Sequence, residues 1–374
     1  MSVEGEAATL SAVEGGSPQV ARATCYAMFA YDVAPFIDLA ACEERVRSAK
    51  QRQTIEKRRS LEYFRYRPAP LRVRQETQPV RVGEHETRSV VDLVFYDFGA
   101  ITVSFAIPFA GPLGDLVALS GALYESSELG MAARLTLEEV LRLFDGDRIH
   151  VAEVVEDYVV FHLEETEPAI SPADLYTTYA MSSAQLLRAE KERLSEQEVS
   201  EALSARIAFG SSDLTLIDWN AALLYGRGVE DLLTVIEFAN VQLLEMRFLD
   251  RQLDEALEES YALVSRRRPR WLAGFQLHAR GLRRIAGLEV DGAILFERVT
   301  NALKVFGEEY LSRVYTLTAD RLRLSAWDAS AMRKLGTIDT IYAKLTDQAA
   351  IRRLEFLEWI IVFLITLSIV LSFF

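Results

Sequence analysis

The stretch S-V-V-D-L-V-F-Y-D-F-G-A-I-T-V-S-F-A-I, residues 89–107, decides how the first half of the chain is read. Two runs of β-branched and aromatic residues flank Asp97-Phe98-Gly99-Ala100. Such runs suit a pleated, half-buried surface, and glycine admits the positive φ of a tight turn, so the pattern predicts a β-hairpin. Residues 98–114 carry no charge and would pass a hydropathy test for a membrane span. Pro108, Pro112 and the glycines at 99, 111 and 114 break a helix there and leave strand as the reading.

Working outward from the hairpin, residues 22–31 read as a short strand, and Pro35 opens a helical stretch to about Arg59. Residues 63–67 and 71–74 are strand pieces broken by P-A-P. Leu113 to Tyr124 and Thr136 to Phe144 read as helices, and Ile149 to Leu163 as strand. The order β-α-β-β-α-β predicts a ferredoxin-like α+β domain over residues 20–165, after a small, polar, disordered N-terminus at 1–19.

Nine of the ten prolines fall at or before Pro172, so the second half is expected to be helical over 171–353. Ser171-Pro172-Ala173-Asp174 is a helix start, with a helix expected to about Ala208. Leu232, Ile236, Ala239, Leu243, Met246, Leu253 and Leu257 recur at threes and fours along a helix from about Glu230 to Ser265. A further stripe runs from Leu295 to Leu317, and a last helix starts near Ser325. These stripes predict an antiparallel bundle or coiled coil.

The chain closes on L-E-W-I-I-V-F-L-I-T-L-S-I-V-L-S-F-F, residues 357–374, uncharged from Trp359 on. Extended back to Leu354, the run would be a helix of about 32 Å, against about 30 Å for a bilayer core. The expectation is a single-pass C-terminal transmembrane anchor at 354–374, marked by Glu358, Trp359, Ile360, Ile361, Leu364 and Ile365. Arg352 and Arg353 precede it and no basic residue follows, which puts the bulk of the chain on the cytoplasmic side, at the inner membrane in a bacterium. The N-terminus has no apolar core of a secretory signal.

Half of the 374 residues are hydrophobic and the net charge is −14, from 41 basic and 55 acidic residues. That balance argues against general coating of nucleic acid. Cys25 and Cys42 are too few for a disulfide framework.

Several segments resemble the "required for meiotic nuclear division" family, also called domain of unknown function 155. They are D-W-N-A-A-L-L-Y at 218–225, L-L-T-V-I-E-F-A-N-V-Q-L-L-E-M-R-F-L-D at 232–250, D-G-A-I-L-F-E-R-V-T-N-A-L-K at 291–304, E-Y-L-S-R-V-Y at 309–315, L-S-A-W at 324–327 and L-E-W-I-I-V-F-L-I at 357–365. The hairpin core V-F-Y-D-F-G-A-I-T-V-S-F at 94–105 is similar to that family's first strand pair. The resemblance implies a membrane-anchored, self-associating protein with no established catalytic activity. It departs at Ser368, where the family's anchor carries a glutamate.

Candidate chemistry is sparse. The stretch from Arg45 to Arg74 holds eleven Lys/Arg against Glu56 and Glu62. Its Arg45, Arg47, Lys50, Arg52, Lys57, Arg58 and Arg59 form a basic patch suited to RNA, a ribosome, anionic lipid or an acidic protein partner, or to a plain solvated face. Arg266-Arg267-Arg268-Pro269-Arg270-Trp271 reads as a helix end with cations at the C-terminal dipole. Glu237, Asn240, Glu245, Arg247 and Asp250 interleave with the apolar stripe and suggest a polar network fixing helix register, or acid–base carboxylates. The four histidines, at 85, 150, 162 and 278, are scattered, and there is no Cys-x-x-Cys, phosphate loop or nucleophile elbow. No catalytic, cofactor-binding or metal residue is expected, and no small-molecule substrate. The sequence thus points to a C-terminally anchored, non-enzymatic scaffold or tether on a lipid bilayer, homo-oligomeric, with an N-terminal recognition domain. The alternatives are an ion-conducting oligomer and an enzyme using the carboxylates of the 230–265 helix.

Overall fold

A computed structural model describes residues 18–49, 56–57, 68–142, 151–265, 287 and 309–372. Strands β1 (Gln19–Asp32), β2 (Glu56–Lys57) and β3 (Leu71–Glu76) precede a small ladder of β4 (Arg81–Val82) and β5 (His85–Glu86). They are followed by β6 (Val90–Phe95), β7 (Ala100–Pro112), β8 (Val155–Glu167), β9 (Arg206–Ile207), β10 (Leu214–Ile217) and β11 (Ala221–Tyr225). Between the strands lie helices α1 (Leu39–Ala49), α2 (Leu113–Tyr124), α3 (Ser127–Leu141), α4 (Ala180–Arg188) and α5 (Glu196–Ala202). The chain ends in α6 (Glu230–Ser265), α7 (Glu309–Arg321) and α8 (Leu324–Ser372). The protein is therefore a mixed α+β protein.

One nine-stranded sheet has the order β2-β3-β6-β7-β1-β8-β11-β10-β9. The central strand is β1, fourteen residues long. It pairs antiparallel with β7 from Gln19↔Pro112 to Asp32↔Ala100, and with β8 from Gln19↔Glu167 to Tyr31↔Val155. Having a neighbour on each side, it is buried along most of its length, hence the near-continuous apolar run C-Y-A-M-F-A-Y. The β6–β7 hairpin forms where the sequence placed it. Gly99 turns it with φ of +101°, and a Cβ there would lie 1.5 Å from the Ala34 carbonyl oxygen, so no other residue fits.

Local signals set several element ends. The Asp38 Oδ1 accepts from the N–H groups of Ala40 and Ala41, so α1 starts after Asp38 and not at Pro35. The Ser126 hydroxyl accepts from the Leu129 N–H, which starts α3 nine residues before Thr136. Ser171 caps as expected, and Asp174 completes a capping box with it, but the cap opens only a short 3-10 turn, Pro172–Tyr176.

The helix expected from Ser171 to Ala208 is absent. Ala189 takes a left-handed conformation (φ 53°) and ends α4, and Ser195 caps a new helix, α5. Residues 206–225 then form β9, β10 and β11, which extend the sheet past β8, with β11 parallel to it. The second half is thus not all-α. Leu214–Ile217 and Ala221–Tyr225 are wholly apolar runs apart from Thr215 and the tyrosine, the composition of strands buried on both faces.

Contacts divide the chain into two units, Met1–Glu245 with Val299–Leu324, and Met246–Arg298 with Ser325–Phe374. In the first unit, Val103, Phe105, Phe161 and Leu163 belong to the core cluster shared with Leu116, Leu123, Leu137 and Leu187 of α2, α3 and α4. The start of α6 joins the sheet unit through Phe238, whose ring lies 6.1 Å from Tyr96 and 6.4 Å from Tyr315 of α7. In the second unit the rest of α6 meets α8, with Leu253, Ala256, Ala331, Leu335, Ile338 and Tyr342 buried. Lys334 reaches both Asp250 (2.8 Å) and Asp254 (2.7 Å).

The expected transmembrane anchor is corrected here. Among the described residues no helix is long and apolar enough to cross a membrane. The uncharged part of α8 runs from Trp359 to Ser372, about 21 Å at 1.5 Å per residue, well short of a bilayer core of about 30 Å. Lengthening it draws in Glu358, Glu355, Arg353 and Arg352. The single-pass localisation, the anchored tether and the ion-conducting oligomer, all of which need that span, go with it. Glu358, Trp359, Ile360, Ile361, Leu364 and Ile365 are instead exposed residues of one long helix.

Candidate functional site

Among the described residues of the sheet unit, two clusters of buried charged side chains stand out. In the first, Asp218 follows β10 and is fully buried. Its Oδ1 accepts from Arg321 Nε at 2.8 Å and from the Trp219 N–H at 2.8 Å, with Arg321 Nη2 at 2.6 Å. Arg188 Nε stands 2.6 Å from Oδ2, but its N–H is not aimed along that line, so this contact is one of charge rather than a directed hydrogen bond. Glu201 lies 3.8 Å from Arg188 and 3.9 Å from Arg321. Burial pushes the Asp218 carboxyl upward, while Arg321, the Trp219 N–H and Arg188 pull against it. The Tyr158 hydroxyl donates to the Asp218 carbonyl at 2.8 Å. The cluster thus joins β8, the β10–β11 turn, α4, α5 and α7, and the two arginines are consumed by carboxylates.

The second cluster joins β3 to α6. Arg72 Nη2 donates to Glu237 Oε2 at 3.2 Å and to Thr234 Oγ1 at 3.1 Å. Burial would lower the Arg72 pKa, but the charge and hydrogen bond of Glu237, with Tyr96 and Asp92 nearby, together outweigh it and hold the guanidinium up. Arginine's fork geometry and weak hydration suit such a buried pair.

The five polar residues singled out on α6 do not form one site. Glu237 meets Arg72, and Asn240 Nδ2 donates to the Glu156 carbonyl at 3.3 Å. Glu245 is half-buried. Arg247 lies over the Trp327 ring, 5.5 Å from its centre, and Asp250 takes Lys334 and the Ser330 hydroxyl. Each side chain is directed to its own neighbour, and Glu237 sits in a closed pair, the opposite of an open acid–base dyad. Sequence reasoning missed Arg72, Arg188, Asp218 and Arg321, because the buried pairs Arg72–Glu237, Arg188–Asp218 and Arg321–Asp218 join residues 165, 30 and 103 positions apart.

Most of the basic patch falls outside the described residues, namely Lys50, Arg52, Arg58 and Arg59. Arg45 is exposed on α1, Arg47 lies further along the same helix, and Lys57 pairs through its backbone with Val73 at the sheet edge. Residues 266–271 and His150 and His278 also lie outside. His162 Nε2 is 2.8 Å from the Gly226 carbonyl, and His85 stacks on Phe109. Both cysteines are buried free thiols. Among the described residues no group of three or more His, Cys, Asp or Glu is placed to hold a metal.

The end of α8 is built the other way round. From Ile351 to Leu371 the described large apolar side chains are exposed, between 38% for Ile360 and 73% for Trp359. Monomers seldom show apolar patches beyond a few hundred Å², and larger ones mark contact sites.

The fold and these sites define an α+β protein with a closed, ion-paired sheet unit and an apolar helical end. A family model described as "Uncharacterized protein MJ0711, N-terminal domain" matches residues 22–231. That is more than half of the chain, and the chain belongs to this family. The protein "Uncharacterized protein MJ0711" of Methanocaldococcus jannaschii is 25% identical over 193 residues, 50% of this chain and 57% of that one. The chain thus spans little more than half the length of this relative. No solved structure matches. These matches overturn the resemblance to the "required for meiotic nuclear division" family. Short apolar helical segments such as L-L-T-V-I-E-F-A-N-V at 232–241 recur wherever a helix packs on a core, so they do not specify a family.

Proposed function

We propose that the protein is a non-enzymatic, self-associating protein whose copies join through the apolar end of α8. The observation that carries this reading is the exposure of Leu354, Leu357, Ile361, Leu364 and Leu371 in a single chain. These positions, with Ser368, recur at threes and fours, and Leu357, Leu364 and Leu371 are seven apart. That spacing is the seam of a helix that packs on a like helix. Ile360, Phe363 and Leu367 widen it, so a bundle of several copies covers it better than a pair. A second copy is the occupant that always carries the matching stripe. The buried acids support the non-enzymatic reading, since Asp218 and Glu237 are engaged by arginines and do not face a cleft.

The order β6-β7-β1-β8 and the connection β1-α1-β6-β7-α2-α3-β8 support a ferredoxin-like core for the sheet unit, flanked by β2 and β3 on one edge and by β11, β10 and β9 on the other.

A single cysteine at Leu364→Cys tests the interface, because Cys25 and Cys42 are buried. Mild oxidation is expected to give a disulfide-linked dimer of the full chain. A chain that stays monomeric and instead partitions into phospholipid vesicles would overturn the proposal.

A further inference from the structure

A cleft of about 80 Å³ opens on the helical side of the sheet, between the α2–α3 corner, the end of α4 and the strands β1, β8 and β11. Its floor follows from register. Phe29 is opposite Asp157, and Ala27 opposite Val159, so these four side chains share one face. The Phe29 ring is fixed edge-on to Phe105 at 6.4 Å. Tyr124, exposed at the end of α2, stands on the rim.

The polar groups of the lining are unequal. Two of its hydroxyls donate within the protein, Ser120 Oγ to the Leu186 carbonyl at 2.7 Å and the Tyr158 hydroxyl to the Asp218 carbonyl, and Ser126 Oγ accepts from the Leu129 N–H. Two acceptors remain. Asp157 is an exposed carboxylate, and Asn220 Oδ1 is buried with no hydrogen-bond partner. A buried acceptor left without a donor is costly, and a ligand N–H would relieve that cost. No Lys, Arg or His lines the cleft. Of the cations nearby, Arg134 is paired with Glu138 at 3.2 Å, and Lys191 is an exposed residue whose carbon chain packs against Gly121. Aromatic faces and a carboxylate together favour a positive charge.

We propose that this cleft binds a small organic cation of a few heavy atoms, a protonated primary amine. Its N–H groups would donate to Asp157 and Asn220 Oδ1, and its carbon part would rest on Phe29. The proposal does not depend on association through α8.

The test is ligand-observed NMR on the full chain with ethylammonium, against ethanol and acetate as neutral and anionic probes of similar size. Saturable millimolar binding of ethylammonium alone is expected. Asp157→Asn is expected to weaken it by roughly tenfold or more, the worth of one charged hydrogen bond. Asp157 is exposed, so that variant should fold, and charge selectivity in the unaltered chain is a separate readout. Equal binding of ethanol, no saturable binding of ethylammonium, or full binding by Asp157→Asn would each overturn the proposal.

Discussion

The sheet unit and the end of α8 treat water in opposite ways. In the sheet unit, Asp218 and Glu237 are withdrawn from solvent and neutralised by arginines. At the end of α8, Trp359, Phe363 and Leu371 are presented to solvent. A buried charge with its counter-ion beside it is satisfied within the protein. An exposed apolar helix is an unfinished one, since covering it is favourable by about 25 cal/mol per Å². The difference is why the proposed association is placed at the end of α8, beyond the family match at residues 22–231.

The contrast can be broken first at Asp218. Asp218→Ala leaves Arg188 and Arg321 facing each other without their shared carboxylate, and should lower unfolding stability by about 3–5 kcal/mol. Urea unfolding measures this. Replacing all three residues by apolar ones of similar size should recover much of the loss, because the desolvation of the charges is removed as well.

Asp32, at the end of β1, sharpens the comparison through pH. Burial pushes its carboxyl from 3.8 to about 7. Between those values the folded chain holds a proton that the unfolded chain has released, so stability falls as pH rises through that window. Asp32→Asn should match the unaltered protein near pH 4 and exceed it above pH 7, as read from thermal unfolding across pH.

Lys334 should show the smallest effect. It bridges Asp250 and Asp254 between α6 and α8 but is partly exposed. Lys334→Met should cost about 1 kcal/mol or less, and less still in high salt.

The hairpin at 90–112, the helix Leu113–Tyr124 and the central strand were legible because each has strong local chemistry: β-branched alternation, proline boundaries and a turn glycine. Strands β10 and β11 were not, because L-T-L-I and A-A-L-L-Y have no period that separates strand from buried helix. The charged clusters were illegible for another reason. Arg188 and Arg321 look like ordinary surface arginines until folding brings both to Asp218. The closing apolar run was plain in the sequence, but hydropathy alone overstated it as a membrane span.

Sedimentation velocity of the full chain, beside a variant carrying Leu357→Lys, Ile361→Lys and Leu364→Lys, tests the central claim most directly. The expected result is an oligomer for the unaltered chain and a monomer for the variant, with the same helical content by circular dichroism. An unaltered chain that sediments as a monomer across micromolar concentrations, or a variant that keeps the oligomer intact, would contradict it.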